Sequence, residues 1–254
     1  MILKSYEAGE GHPLVLLHGL FGAARNLGVL TRALAAERRV VALDLRNHGD
    51  SPHAPGMDYL TMAADVAQTM ESLGLHGADV AGHSMGGKTA MALALSRPDL
   101  VARVAVLDIA PMTYDHDYDD FVQVMLGMHL HHGLTRAEAE QELAVVVKAA
   151  PMRAFLLNNL VLGAEPRWRV NLRAISAAMP ELLTWRDPPG SAPFLGEALF
   201  LYGALSHYVT PEAEPVIHRL FPRAQLRRVE GAAHWLHADK PAEVLAALRE
   251  FFTV

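Results

Sequence analysis

The sequence predicts an α/β fold: a mostly parallel sheet with helices on both faces and a helical cap inserted late in the chain. Short apolar runs of strand length alternate with segments of helical spacing through the first 110 residues. That rhythm is what a parallel sheet covered on both faces requires. It stops between residues 111 and 193, where nothing reads as a strand, and resumes to the C-terminus. The division is therefore a core of residues 1–110 and 194–254 with a helical cap of residues 111–193.

Residues 2–6 read as an edge strand, and residues 14–17 as a buried one. A helix over about 26–36 and a buried strand over 39–43 follow. Residues 59–73 carry apolar side chains at helical spacing (Leu60, Ala63, Ala64, Ala67, Met70). A strand then leads into Gly82-His83-Ser84-Met85-Gly86 and an Ala-, Met- and Leu-rich helix, and residues 101–107 form the next buried strand. In the cap, Phe121, Val124, Met125 and Met128 form one helical stripe, and Thr135 with Glu138 makes a capping box for a helix running to residue 150. Pro151 suits the first turn of a third helix, Trp168 begins a fourth, and the Pro- and Gly-rich residues 187–193 end the insertion. Strands at 198–202 and 225–229, and helices at 212–221 and 241–252, complete the core.

Composition narrows the function classes. A net charge of −6 without a basic cluster argues against nucleic acid. The absence of cysteine excludes disulfides, thiol catalysis and thiolate-held metals, and suits a reducing cytoplasm. No apolar run approaches bilayer-spanning length, and the N-terminus lacks the apolar core of a signal peptide. The expectation is a soluble cytoplasmic protein.

The chemistry concentrates in residues 78–92. Gly82-x-Ser84-x-Gly86 between strand and helix is the nucleophile elbow, a turn too tight for side chains beside the serine. The same stretch, Gly82 to Thr89, also reads G-x-x-x-x-G-K-T, the phosphate-binding P-loop, and Asp108 ends a strand where an NTPase would hold magnesium. This stretch alone is compatible with acyl or phosphoryl transfer. The distant features decide: His18-Gly19 after one strand, Asp44-x-Arg46-x-x-Gly49-x-Ser51 after the next, and Gly231-Ala-Ala-His234 after the last. A P-loop NTPase leaves His234, the Gly19 loop and the cap without work.

Together these motifs resemble the α/β-hydrolase superfamily across the whole chain. His-Gly-Leu-Phe-Gly, Arg-Asn-His-Gly, Asp-Ile-Ala-Pro, Trp-Arg-Val-Asn and His-Trp-Leu-His-Ala-Asp-Lys-Pro are similar to the small bacterial YbfF-type esterases and their mitochondrial relatives. The resemblance implies hydrolysis of short- to medium-chain carboxylic esters and acyl thioesters, without a cofactor or metal. It implies Ser84 as nucleophile and His234 as base; His237, three residues on, reads as a packing or loop-anchoring residue. The acid commonly follows the strand after the cap, where this chain has Ser206. Asp108 is the replacement, at a strand end on the rim where side chains converge; its alternative role is to cap the turn into the cap, and Glu230 is a weaker candidate for the acid. Backbone N–H groups of Met85 and of Leu20, or failing that Phe21, would form the oxyanion hole. Asp44, Arg46 and Ser51 would brace the loop beneath, with Arg46 or Asn47 as an alternative substrate contact.

The acyl chain needs an apolar wall, for which Phe21, Met125, Phe155, Trp168 and Trp185 are candidates. His129, His131 and His132, with Asp115, His116 and Asp117, invite a metal reading, but their spacing matches no known cage. A small-molecule-binding protein of the same fold that does not turn over is the remaining alternative.

Overall fold

The computed structural model describes residues 1–115 and 118–253. In chain order the first elements are β1 (Ser5–Ala8), β2 (Pro13–Leu17), α1 (Gly28–Leu34), β3 (Arg39–Leu43), α2 (Tyr59–Ser72), β4 (Ala78–His83), α3 (Met85–Ser96) and β5 (Val101–Leu107). Next come α4 (Asp119–Gly127), α5 (Arg136–Ala144), α6 (Ala150–Leu156), the short strands β6 (Leu160–Val161) and β7 (Arg167–Trp168), α7 (Leu172–Ala177) and α8 (Met179–Leu183). The chain closes with β8 (Glu197–Gly203), α9 (Ala213–Leu220), β9 (Ala224–Val229), α10 (Leu236–Asp239) and α11 (Pro241–Phe252).

Seven strands form one sheet in the order β1-β3-β2-β4-β5-β8-β9. The edge strand β1 runs antiparallel to β3, and the other neighbours are parallel. The inner strands are apolar on both faces because both faces are covered. Their period of two sorts the side chains. Val15, Leu17, Val80, Val106 and Phe200 pack with α2, α3 and the intervening helices. Leu14, Leu16, Ala81, Ala105 and Leu201 pack with α1 and α11 through Leu30, Leu34, Val244, Leu248 and Phe252.

Local signals explain the helix ends. Asp58 caps α2 by accepting the Thr61 N–H, and Thr135 and Glu138 make the expected reciprocal capping box on α5, which ends at Ala144, short of 150. Pro151 and Pro241 sit in the first turns of α6 and α11, where a missing N–H costs nothing. The expected helix over 26–36 begins as a 3-10 turn, Ala24–Leu27, before α1. A larger departure lies between β5 and β8. Leu160 pairs with Trp168 in an antiparallel hairpin. Trp168 therefore lies on a strand, and helix α7 starts later, capped by Asn171. Two residues per strand are too few to show a period of two.

The segment between β5 and β8 is fastened over the C-terminal ends of the strands. Asn171 donates its N–H to the Asn47 carbonyl at 2.9 Å, Asn159 Nδ2 donates to the Phe21 carbonyl at 2.7 Å, and the Tyr59 hydroxyl donates to the Leu182 carbonyl at 2.5 Å. Among the described residues no helix is long and apolar enough to cross a membrane.

At the opposite rim, Asp79 is fully buried near the start of β4. It accepts from Arg38 Nη1 at 2.6 Å and from Arg103 Nε and Nη2 at 2.9 and 2.8 Å, and both arginines also bond the Phe252 carbonyl. Removing one partner of such a network strands buried charge. Asp79→Ala is expected to cost about 3–5 kcal/mol in urea unfolding. The catalytic constants of the folded fraction should not change, because the network lies across the sheet from Ser84; a loss below about 1 kcal/mol would show that the network does not hold this rim.

Candidate active site

Ser84 sits between β4 and α3 with φ 53° and ψ −118°, a strained backbone for a residue with a Cβ. The glycines around it are enforced by contact. A Cβ on Gly82 would lie 2.2 Å from the Gly86 carbonyl oxygen, and one on Gly86 would lie 2.4 Å from that of Leu17. The turn can therefore be this tight only with glycine at both positions. Asp108, directly after β5, also has positive φ (55°), as do Phe21 and Asn47 in neighbouring loops.

These loops bring together the three side chains expected from the sequence. His234, between β9 and α10, has Nε2 3.1 Å from Ser84 Oγ and Nδ1 2.7 Å from Asp108 Oδ2. Asp108 is fully buried. Its Oδ1 accepts the Gly203 N–H at 2.8 Å, and its Oδ2 also accepts the Ser206 hydroxyl. Such a carboxylate has both oxygens engaged by donors. It fixes the proton of His234 on Nδ1 and leaves the Nε2 lone pair facing the serine. The Tyr208 ring stacks on the imidazole at 4.0 Å, and His83 Nε2 donates to the His234 carbonyl at 2.8 Å. His237 packs edge-on against His83, and Glu230 is exposed and paired with Arg228.

The loop after β2 lies against the elbow: a Cβ on Gly19 would come within 3.3 Å of Ser84 Cβ. Among the described residues the N–H groups of Leu20 and Met85 have no hydrogen-bond partner. Phe21, expected as the reserve oxyanion donor, is not free for that role, because its N–H is already given to His48 Nε2 at 3.1 Å. Asp44, Arg46, Asn47 and Ser51 brace the loop below. Arg46 bonds Asp65 at 2.5 Å and the Gly56 carbonyl at 2.8 Å, and Asn47 bonds both Ala54 and Asn171, so both side chains are engaged away from the serine.

Two small cavities flank Ser84, each with about 40 Å³ of free space. Phe21, Tyr118, Met152, Phe155 and Trp235 help line the first. Tyr59, Lys88, Tyr114, Met179 and Tyr208 help line the second. Phe21 and Phe155 thus stand where an acyl wall was expected, while Met125, Trp168 and Trp185 do not. Met125 is buried among the helices, and its carbonyl accepts from Trp168 Nε1 at 2.8 Å. The Trp185 ring lies 6.2 Å from that of Tyr59, and its Nε1 donates to Asp187 at 2.9 Å. Of the residues not singled out beforehand, Trp235 adjoins His234 in sequence, and Tyr118, Met152 and Tyr208 carry no motif.

The P-loop alternative loses its geometry. Gly82 and Gly86 are packed on backbone, Thr89 Oγ1 donates to the Met85 carbonyl at 2.9 Å, and Lys88 is buried. His116 and Asp117 lie outside the described residues; among those described, no three His, Cys, Asp or Glu side chains converge as metal ligands.

Two buried histidines stiffen the loops under the site. His18 donates from Nδ1 to the Gly19 carbonyl and accepts the Leu45 N–H on Nε2; His48 donates from Nδ1 to the Arg46 carbonyl. Burial lowers His18 to about 4 and His48 to about 3 from the ordinary 6.5. Both stay neutral in the folded state while an unfolded chain would protonate them below pH 6.5. Their contribution is therefore present above that pH and lost as pH falls towards 4. Stability measured by denaturant is expected to drop from pH 7.5 to 5, by about 2 kcal/mol for each such histidine. A His48→Gln variant should show a shallower slope; an identical slope would remove His48 from the account.

The sequence model of the alpha/beta hydrolase fold matches residues 12–241. The chain is 42% identical over 247 residues to the sn-1-specific diacylglycerol lipase ABHD11 of Mus musculus, covering 94% of this chain and 80% of that one. It is 35% identical over 240 residues to Esterase YbfF of Escherichia coli, covering 94% and 92%. A solved structure of a marine microorganism esterase superposes with a TM-score of 0.94 at 34% identity, over 99% of both chains. With the elbow, the strand order and these relatives in agreement, the chain belongs to the α/β-hydrolase family, among its carboxylesterase-type members.

Proposed function

We propose that the protein is a serine carboxylesterase working through an acyl-enzyme intermediate, with Ser84, His234 and Asp108 as its triad. The observation that carries this reading is the hydrogen-bond chain from Ser84 Oγ through both nitrogens of His234 to Asp108, at 3.1 and 2.7 Å. A serine hydroxyl is a poor nucleophile until a base takes its proton. His234 Nε2 accepts that proton as Ser84 Oγ bonds to the ester carbonyl carbon. The negative charge on the carbonyl oxygen is met by the Leu20 and Met85 N–H groups, each such donor being worth about 3 kcal/mol in the transition state. Collapse breaks the bond to the alkoxide, which leaves with the proton from His234. Water, deprotonated by the same imidazole, then releases the acid and restores Ser84. Thioesters follow the same path with a thiol leaving group.

Asp108 stabilises the imidazolium that forms in each step, and Ser206, in the position where relatives of this fold commonly carry the acid, contributes a donor that holds Asp108 in place. Residues 111–193 serve as a cap that keeps water from the site. The free spaces of about 40 Å³ beside Ser84 favour short acyl chains over long ones. A cysteine-free chain suits a cytoplasmic location.

Ser84→Ala is expected to abolish hydrolysis of p-nitrophenyl butyrate and labelling by a fluorophosphonate; retained turnover would sink the mechanism. Asp108→Asn should lower kcat by about 10⁴, as in other triads, while Glu230→Gln should leave it unchanged; the reverse order would move the acid. In a chain-length panel, acetyl and butyryl esters should exceed the dodecanoyl ester in kcat/KM, and the opposite ranking would contradict the small-pocket reading.

A further inference from the structure

Lys88 is the buried charge that the proposed mechanism leaves unused. It lies one helical turn beyond Ser84, its N–H bonded to the Ser84 carbonyl at 3.0 Å, and it is 1% exposed. Nζ donates to the Leu183 carbonyl at 3.1 Å and lies 5.2 Å and 4.8 Å from the ring centroids of Tyr59 and Tyr114. An ammonium has three donors, and among the described residues this one has a single oxygen partner and no carboxylate. Two aromatic faces attract the cation but do not replace a counter-ion. Burial accordingly lowers its pKa to about 7. A leucine or methionine here would fill the space without a desolvation cost. The ammonium instead borders the cavity that also contains Ser84, Leu20 and Met85.

We propose that Lys88 is the anion-recognising residue of this cavity, so that the preferred substrates are esters carrying a carboxylate a few bonds from the scissile carbonyl. This deepens the esterase reading and rests on it. The carboxylate would take the open donors of Nζ and supply the missing counter-charge, while the tyrosine rings flank it. A free space of about 40 Å³ suits a planar two-oxygen group. A phosphate would bring a second negative charge that one lysine cannot balance in a low-dielectric site.

The test compares monoethyl succinate with its isopropyl isostere, ethyl isocaproate, by pH-stat on the wild-type protein and on Lys88→Met. The wild type is expected to favour the succinate by about tenfold or more in kcat/KM, the scale of one charge-assisted hydrogen bond, and the ratio should collapse in the variant. Because Lys88→Met could fail to fold, wild-type inhibition is measured as well: succinamate should compete with p-nitrophenyl butyrate more strongly than neutral isocaproamide. Turnover with the same ratio in both proteins, or equal inhibition by both amides, overturns the subsite. A preference for the corresponding phosphono ester over the succinate overturns the choice of carboxylate. No turnover of any ester and no fluorophosphonate labelling of Ser84 would instead count against the esterase reading.

Discussion

A single buried carboxylate holds the rim of this molecule together. Asp108 receives the Gly203 N–H from the end of β8, the Ser206 hydroxyl from the turn after it, and the His234 imidazole from the loop after β9. The centre of the sheet and its far edge are thus tied at one point by donors to a fully buried carboxyl group, whose oxygens would be costly to leave unpaired. The parallel register makes the meeting possible. Neighbouring strands end together on one side, so loops distant in sequence open onto the same few ångströms.

The local geometry around that carboxylate is strained in a consistent way. The residues other than glycine with positive φ among those described are Phe21, Asn47, Ser84 and Asp108. Two belong to the proposed triad, one is the residue after a proposed oxyanion donor, and one anchors Asn171. Strain of this kind persists only where surrounding contacts over-determine the backbone. Here the contacts are visible: glycines packed on carbonyls at the elbow, His48 on the Phe21 N–H, and Asn47 bonded to Ala54 on both its amide atoms.

Much of this was legible in the residues. Gly82-x-Ser84-x-Gly86 marks a turn by what cannot fit there, and Ser206 in the usual acid slot pointed to Asp108 as the carboxylate, the arrangement that the distances support. The core strands were readable because burial on both faces leaves unbroken apolar runs. The wall of the site was not. Helical spacing tells which side chains of α4 turn inward, but not whether the space inside holds another helix or a substrate. Met125 is buried there, with its carbonyl bonded by the Trp168 indole. Phe21 illustrates a different gap, since whether a backbone N–H is free depends on a histidine 27 residues away. Lys88 looked like half of a phosphate-binding motif because sequence cannot show that Leu183 and two tyrosine rings lie over it.

His83, the variable residue before the serine, has a consequence of its own. Its imidazole reaches across to the carbonyl of His234, so the turn bearing Ser84 is latched to the loop bearing His234 by a bond independent of the contact between their side chains. A shift of either loop is therefore passed to the other through that bond, so the elbow and the loop after β9 hold their spacing as a pair.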